Sequence, residues 1–305
     1  MLDEKEFEKS PIKCVFLGLD NSGKTSILNA LKGSFAKVQP TVRIVRADFN
    51  ILGIRIKIWD FGGQEQYRKE YSHELKYFER TNLLFYVVDI QDSMNFSESV
   101  EYFLDILQMF VMLKIKPHIF VLYHKSDPDL RDQLFIQKNM QTLKDLFLDL
   151  PEAMDITFHE TSIYDYEQLS HVFVQGILRI LPKGKIIQDV LQDFMKTTKS
   201  SAIILLDENV LSIAEAFINE ESRMTCHVCG PFFANMTDKL RKYNLFTPET
   251  IEVEMQGWLF FKSIDYMGMR LYLIFFTKAK ENFTTINDLL PSFMEDLSNV
   301  LKFVL

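Results

Sequence analysis

The run Gly18-Leu19-Asp20-Asn21-Ser22-Gly23-Lys24-Thr25 constrains this chain more than any other segment. It fits the pattern G-x-x-x-x-G-K-[ST]. It stands between a short apolar run at 12–17 and a helical stretch. A strand that ends in such a loop and opens a helix lets backbone N–H groups curl around phosphate oxygens at the helix N-terminus. Asp20, Asn21, Ser22, Gly23 and Ser26 are then expected to line the phosphates. Lys24 is expected to reach the β- and γ-phosphates, and the Thr25 hydroxyl to bind Mg²⁺.

A second segment fits the same chemistry. Trp59-Asp60-Phe61-Gly62-Gly63-Gln64 ends a strand candidate at 55–59. An acidic residue at a strand end, here Asp60, is placed to hold the metal through water. Gly63 can offer its N–H to the terminal phosphate, and Gln64 can orient an attacking water. Thr41, in Gln39-Pro40-Thr41-Val42, can supply a second side-chain ligand to Mg²⁺. Lys24, Thr41 and Gln64 are therefore the candidate catalytic residues, and Thr25, Thr41 and Asp60 the candidate metal ligands. The glycines agree: of 11 in the chain, six fall in the first 63 residues, four of them in these two loops. Gly53 suits a hairpin, and Gly33 the end of the helix after the first loop.

Strand candidates at 12–17, 43–52, 55–59, 83–89, 118–123 and 156–160 alternate with amphipathic stretches up to about residue 182. One helical stripe runs Phe96, Val100, Phe103, Leu104, Leu107, Val111, and another Leu169, Val172, Phe173, Gly176, Ile177, Ile180. Alternating strands and helices imply an α/β layer structure on a mainly parallel sheet of six strands. The candidates at 43–52 and 55–59 are too close for a crossover, so one edge strand is expected to be antiparallel.

The rhythm changes after LPKG at 181–184. A helix stripe at 186–195 precedes strand candidates at 202–206 and 211–217. A second stripe, Phe233, Met236, Leu240, Tyr243, precedes strands at 251–255, 258–262 and 270–277. A helix from Ile286 to Leu301, kinked or started at Pro291, closes the chain. The order α-β-β-α-β-β-β-α implies an antiparallel sheet with helices packed on it, an α+β domain. Two domains are expected, at 10–183 and 186–305.

A net charge of −8 without a basic stripe argues against nucleic acid as a partner. Three cysteines fit a reducing, cytosolic compartment. No apolar run approaches 18 residues, no signal peptide is visible, Leu2 is not an acylable glycine and LKFVL is no prenylation box. Membrane residence therefore needs a partner. Cys226-His227-Val228-Cys229 has zinc-like spacing but no second pair, and reads as coincidence or packing, with a half-site completed by a partner as the alternative. His118, His159 and His171 read as structural, the acidic residues at 129–132 as a solvated helix start, and the 27 phenylalanines as filling two cores.

The quoted motifs resemble the Ras-like small GTPases, with GLDNSGKTS, the PT pair and WDFGGQEQYR most like the Arf branch. The resemblance implies GTP and GDP as ligands and Mg²⁺ as cofactor. It also implies a base-recognition motif of the form N-K-x-D, and the chain offers His124-Lys125-Ser126-Asp127 at the expected place. Asp127 would accept from guanine N1 and N2, the Lys125 stem would lie along the ring, and the backbone at Ser162 and Ile163 would touch O6. His124 replaces the usual Asn, which ties this loop to the phosphate loop. The Rag (Gtr) GTPases carry His there. YHKSDPDLRDQLF and ETSIYD are similar to their pattern, and α-β-β-α-β-β-β-α is the topology of their C-terminal roadblock (longin-like) domain.

This resemblance implies a slow, GTP-driven switch that works in a dimer formed by the second domain. The partner is a sister Rag-like GTPase or a second copy, with roadblock-type scaffold proteins beside it. No cis arginine stands before Thr41, so an activating protein is expected to supply one. Three other readings stay open: an Arf-like trafficking GTPase with an added C-terminal domain, a nucleotide-loaded scaffold that never hydrolyses, and an ATP-using P-loop enzyme argued only by His124.

Overall fold

The computed structural model describes residues 11–32, 39–51, 54–72, 74–147, 154–181, 184–266 and 268–304. Gly33 and Gly53 lie outside these. The chain divides into two compact units, the first holding the residues up to Asn50 and Ile54–Ile180, the second Leu181–Leu305 together with Ile51.

In the first unit the strands are β1 (Ile12–Leu17), β2 (Ile44–Ile51), β3 (Ile54–Phe61), β4 (Leu83–Asp89), β5 (His118–His124) and β6 (Ile156–Thr161). The helices are α1 (Lys24–Leu31), α2 (Glu65–Ser72), α3 (Phe96–Met112), α4 (Leu134–Leu146) and α5 (Tyr166–Ile180). The sheet runs β2-β3-β1-β4-β5-β6, and the pairs β3/β1, β1/β4, β4/β5 and β5/β6 are parallel. All six residues of β1 are buried, as a central strand covered on both faces requires. The two-residue connection from β2 to β3 leaves only the antiparallel orientation for that edge pair. From β1 the chain runs first to β2 and β3 on one side and then to β4 on the other. The C-terminal end of β1 is therefore a topological switch point, where doubly wound sheets place their ligands. The Gly18 loop begins there.

Aromatic rings fill this core. Phe16 stacks on Phe85 at 4.8 Å, and Phe61 packs against Tyr71 at 4.9 Å and Phe78 at 5.6 Å. The acidic residues at 129–132 do not start a helix. The Asp127 carbonyl accepts the Leu130 and Arg131 N–H groups at 2.9 and 3.1 Å, which closes a turn, and α4 begins only at Leu134.

The second unit has the expected α+β order: α6 (Gly184–Thr198), β7 (Ala202–Leu206), β8 (Ser212–Phe217), α7 (Glu220–Lys242), β9 (Thr250–Glu254), β10 (Trp258–Tyr266), β11 (Met269–Thr277) and α8 (Asn282–Val304). The sheet order is β8-β7-β11-β10-β9, antiparallel throughout. One face, with Ile204, Leu206, Phe261, Tyr272 and Ile274, takes Cys226 and Ala234 of α7. On β11 the alternate residue Phe275 meets Phe194 of α6 at 5.7 Å, and Phe194 meets Phe293 of α8 at 4.1 Å. Pro291 lies within α8 and does not end it.

Helix α7 differs from the sequence expectation. It starts at Glu220, capped by the Asn219 side chain, and so begins well before the Phe233 stripe. Its buried residues are Ser222, Cys226, Gly230, Ala234 and Thr237, while Tyr243 is 73% exposed. The helix lies close on the sheet: a Cβ on Gly230 would stand 3.0 Å from Ile274 Cδ1. Small residues form the seam, so a search for large apolar residues at helical spacing misses it. Among the described residues no helix is long and apolar enough to cross a membrane.

Candidate functional site

The loop after β1 folds as its glycines demand. Gly18 has φ +142°, and a Cβ there would stand 2.2 Å from the Val87 carbonyl oxygen. Gly23, with φ +100°, caps α1 in a left-handed conformation. Lys24 turns back over the loop. Its Nζ donates to the carbonyls of Gly18 at 3.1 Å and Leu19 at 2.7 Å, and to Ser22 Oγ at 3.3 Å. Burial holds the Lys24 ammonium down at about 8, against the pull of Asp60 and Asp20. Asp20 accepts the Asn21 N–H at 2.9 Å, and Ser26 sits half-buried on the first turn of α1. A buried cation and a helix N-terminus thus share one concave loop, a site for anionic oxygens.

Beside it, three side chains from distant segments converge. Thr25 Oγ1 donates to Asp60 Oδ2 at 2.6 Å, Thr41 Oγ1 reaches the same oxygen at 3.2 Å, and the two hydroxyls lie 2.7 Å apart. Asp60 is buried at 3% exposure, and burial raises its pKa despite the two hydroxyls and Lys24. Its other oxygen, Oδ1, is buried with no hydrogen-bond partner. Hydroxyl and carboxylate oxygens around an unpaired carboxylate oxygen are the donor set of a hard divalent cation, so the residues fit Mg²⁺.

The segment after Asp60 is pressed against both neighbours. Gly62 N–H donates to the Arg43 carbonyl at 2.6 Å. A Cβ on Gly63 would stand 2.4 Å from the Asp20 nitrogen. Only glycine lets this backbone lie on the phosphate loop. Gln64, half-buried, starts the turn into α2 and accepts from Gln66 at 3.0 Å. Arg68 Nε donates to the Gly63 carbonyl at 2.9 Å while its guanidinium pairs with Glu98 of α3.

The third cluster gathers at the ends of β5 and β6. The His124 ring is 2% exposed and packs against the phosphate loop, where a Cβ on Gly23 would stand 2.4 Å from its Cδ2. Its Nδ1 lies 3.1 Å from Thr161 Oγ1. His124 therefore joins the two loops by ring contact with a glycine. Burial, then the neighbouring Lys125 charge, hold its pKa at about 3, so the ring is neutral at neutral pH. Lys125, with φ +63°, pairs through Nζ with Asp89 at 2.6 Å. Asp127 Oδ1 accepts the Ser162 hydroxyl. Ile163 follows, half-buried.

The structure thus gathers the expected site residues into three neighbouring clusters, built on the segments after β1, before β2 and after β3, β5 and β6. It adds some that the motifs did not show. Asp89 and Gln91, in DIQD after β4, reach Lys125 and Asp127: Gln91 Nε2 donates to the Lys125 carbonyl at 2.9 Å and lies 3.4 Å from Asp127 Oδ2. The turn after a central strand was the available signal. Among its described residues the second unit shows no such convergence. Cys226 is buried, and Cys229 is half-buried beside the sheet. His227 pairs with Glu215. Among the described residues no group of three His, Cys, Asp or Glu side chains is placed to hold a metal.

A glycine-shaped phosphate loop at the switch point of a six-stranded sheet, with Asp60-Phe61-Gly62-Gly63-Gln64 and His124-Lys125-Ser126-Asp127 beside it, defines a small GTPase. The Gtr1/RagA G protein conserved region matches residues 13–238, and the chain belongs to that family. It is also 38% identical over 108 residues to ADP-ribosylation factor-like protein 3 of Chlamydomonas reinhardtii, covering 35% of this chain and 58% of that protein. Over 139 residues it is 32% identical to ADP-ribosylation factor-like protein 6 of Danio rerio, covering 45% of this chain and 72% of that one. The solved small GTPase Arl6 of Trypanosoma brucei, with a bound nucleotide analogue, aligns at a TM-score of 0.43 and 18% identity, over 56% of this chain and 98% of that one. The chain spans little more than half the length of the first of these relatives.

Proposed function

We propose that this chain is a Rag-type molecular switch that binds GTP and hydrolyses it slowly to GDP and phosphate. The observation that carries the reading is the convergence of Thr25, Thr41 and Asp60 beside buried Lys24. Lys24 and the N–H groups of residues 20–26 hold the β- and γ-phosphates. Thr25 and Thr41, with Asp60 through water, would hold Mg²⁺, which when bound would supply positive charge beside the phosphate oxygens. Gln64 orients a water for in-line attack on the γ-phosphorus, and the bond to the β-phosphate oxygen breaks. Gly63 offers its N–H to the terminal phosphate. Asp127, the Lys125 stem and the backbone at Ser162 and Ile163 select guanine. Loss of the γ-phosphate releases the segments around Thr41 and Gly63–Arg68.

Beyond Lys24, the transferring phosphoryl group needs an arginine, and the two described arginines beside the site have other partners. Arg43 reaches toward Glu70 at 3.7 Å, and Arg68 pairs with Glu98. An activating protein supplies the arginine. Unaided turnover is then on the order of 10⁻⁴ s⁻¹ and rises by roughly 10⁵-fold with the partner, as for Ras.

The second unit is a roadblock-like pairing domain. Its α-β-β-α-β-β-β-α order and the match of the family region past residue 183 support this over an Arf-like protein with an unrelated tail. So does α7, which packs small residues inward and leaves Val228 and Phe232 66% and 64% exposed. This surface would meet a second domain of the same kind, in a sister GTPase or another copy, with roadblock-type scaffold proteins alongside. Such partners would also set any membrane residence.

Native mass spectrometry of the purified protein tests both halves at once. The expected result is one GDP or GTP per chain and a native mass of two chains. Copurified ATP, or no guanine nucleotide after loading, refutes the switch. A one-chain mass in every loading state refutes pairing with a second copy.

A further inference from the structure

Arg131 lies outside the phosphate, metal and base motifs, yet it holds the base loop at both ends. Its backbone N–H donates to the Asp127 carbonyl at 3.1 Å, and its Nε donates to the Ser126 carbonyl at 2.9 Å. The far side of the same guanidinium leaves the loop. Nη2 reaches Asp165 Oδ2 at 2.8 Å and Gln168 Oε1 at 2.9 Å. Asp165 is itself fixed as the cap of α5: Oδ1 accepts the Gln168 N–H at 3.2 Å, and its carbonyl accepts the Leu169 N–H at 3.0 Å. One residue thus grips the two carbonyls on either side of Asp127 and ties them to the helix that follows Ser162 and Ile163.

The loop needs such a grip. Lys125 stands at φ +63°, a conformation that a non-glycine residue holds only when its surroundings enforce it. His124 offers the phosphate loop a ring contact, which fixes distance better than direction. The Asp127 carboxylate must nevertheless meet two donors of a guanine edge at once, which makes its direction decisive.

We propose that Arg131 is a positioning residue for base recognition, a clamp that aims the Asp127 carboxylate by fixing its backbone to the α5 cap. The proposal rests on the guanine-pocket reading above and extends it to a residue that touches no nucleotide. A planar guanidinium with donors along two edges can bridge a backbone carbonyl and a carboxylate; a lysine ammonium cannot hold both in a fixed plane.

The test uses the full chain and three variants, Arg131→Ala, Arg131→Lys and Asp165→Asn. Asn still caps α5 but gives up the charged partner of Arg131. Release of a fluorescent GDP, relative affinity for GTP and ITP, and single-turnover cleavage of loaded GTP are measured. ITP lacks the 2-amino group, so the ratio of GTP to ITP affinity reads the alignment of the second Asp127 oxygen. Arg131→Ala is expected to speed GDP release about tenfold and to narrow the GTP-to-ITP ratio by a similar factor. Arg131→Lys and Asp165→Asn shift the ratio in the same direction by less. The loss falls on release and base choice, and the single loaded turnover stays within about twofold of the unmodified chain.

A ratio unchanged in Arg131→Ala overturns the proposal. So does a loss of equal size for GTP, ITP and the single turnover, which is the mark of a general structural role. If Arg131→Ala does not fold, an unchanged ratio in both other variants overturns it. An unmodified chain that does not prefer GTP to ITP refutes the guanine pocket itself and takes the proposal with it. An unmodified chain that prefers GTP, with variants that keep that preference, refutes only the role of Arg131.

Discussion

Acidification tests the contact on which the two nucleotide loops meet. The His124 imidazole is 2% exposed, and burial with the Lys125 charge holds its pKa at about 3, against 6.5 for the free side chain. The sign follows from which state takes the proton first. The unfolded chain protonates His124 below pH 6.5 and the folded chain only near 3, so stability is fully present above 6.5 and is lost as the pH falls from there toward 3. At about 1.4 kcal/mol per unit, taking the solution from pH 7 to pH 5 costs about 2 kcal/mol through this one ring. The chain has two tryptophans, and Trp59 lies in the first unit and Trp258 in the second. In a Trp258→Phe background, Trp59 fluorescence therefore reports urea unfolding of the first unit alone.

The measurement compares His124 with His124→Asn in that background at pH 7, 6 and 5. The variant is expected to lose about 2 kcal/mol less between the ends of the range, whatever its stability at pH 7. His159 is also held below its ordinary value by burial, but it is present in both proteins and cancels. Asp207, raised by burial to about 6, acts with the opposite sign and lies in the second unit, outside the Trp59 signal. Two curves that run parallel within about 0.5 kcal/mol would show that His124 is not a buried neutral ring, and the ring contact with Gly23 would fall with it.

Gly23→Ala places a Cβ 2.4 Å from the His124 ring at φ +100°, and the first unit is expected to lose about 2–4 kcal/mol. His124→Ala in the same chain should recover about 1–2 kcal/mol of that, and strict additivity in a urea cycle refutes the contact. Chelation with EDTA is expected to speed nucleotide release from the unmodified chain at least about tenfold and to leave an already fast Thr25→Ala unchanged, as read by a fluorescent GDP. An EDTA response that survives in Thr25→Ala removes Thr25 from the metal site. Gln64→Leu is expected to slow single-turnover GTP cleavage by about tenfold or more while nucleotide affinity moves less than about twofold. Equal losses in both would make Gln64 a binding residue.

The phosphate side of the site was legible in the sequence because its demands are local. Gly18 and Gly23 are required by backbone angles that follow from the loop itself, and Lys24 and Thr25 sit at fixed steps from them. The base side was legible only as a motif. That His124 meets Gly23, or that Arg131 meets Asp165, depends on segments 101 and 34 residues apart (124 − 23 and 165 − 131), and nothing in either segment announces the other. The second unit shows a different limit. Its order of elements was readable from alternation and spacing, but α7 was half missed because its packed face carries Ser222, Cys226, Gly230, Ala234 and Thr237. A helix that approaches a sheet closely must spend most of its inward positions on small residues, so most of its large apolar side chains, Phe233 on Phe261 excepted, stand away from the seam. Hydrophobic periodicity then marks the outward side. Val228 and Phe232 lie four residues apart on that side, and they are the residues that a pairing partner would bury. The same close seam that hid the helix from the sequence thus accounts for the apolar surface on which the proposed pairing rests.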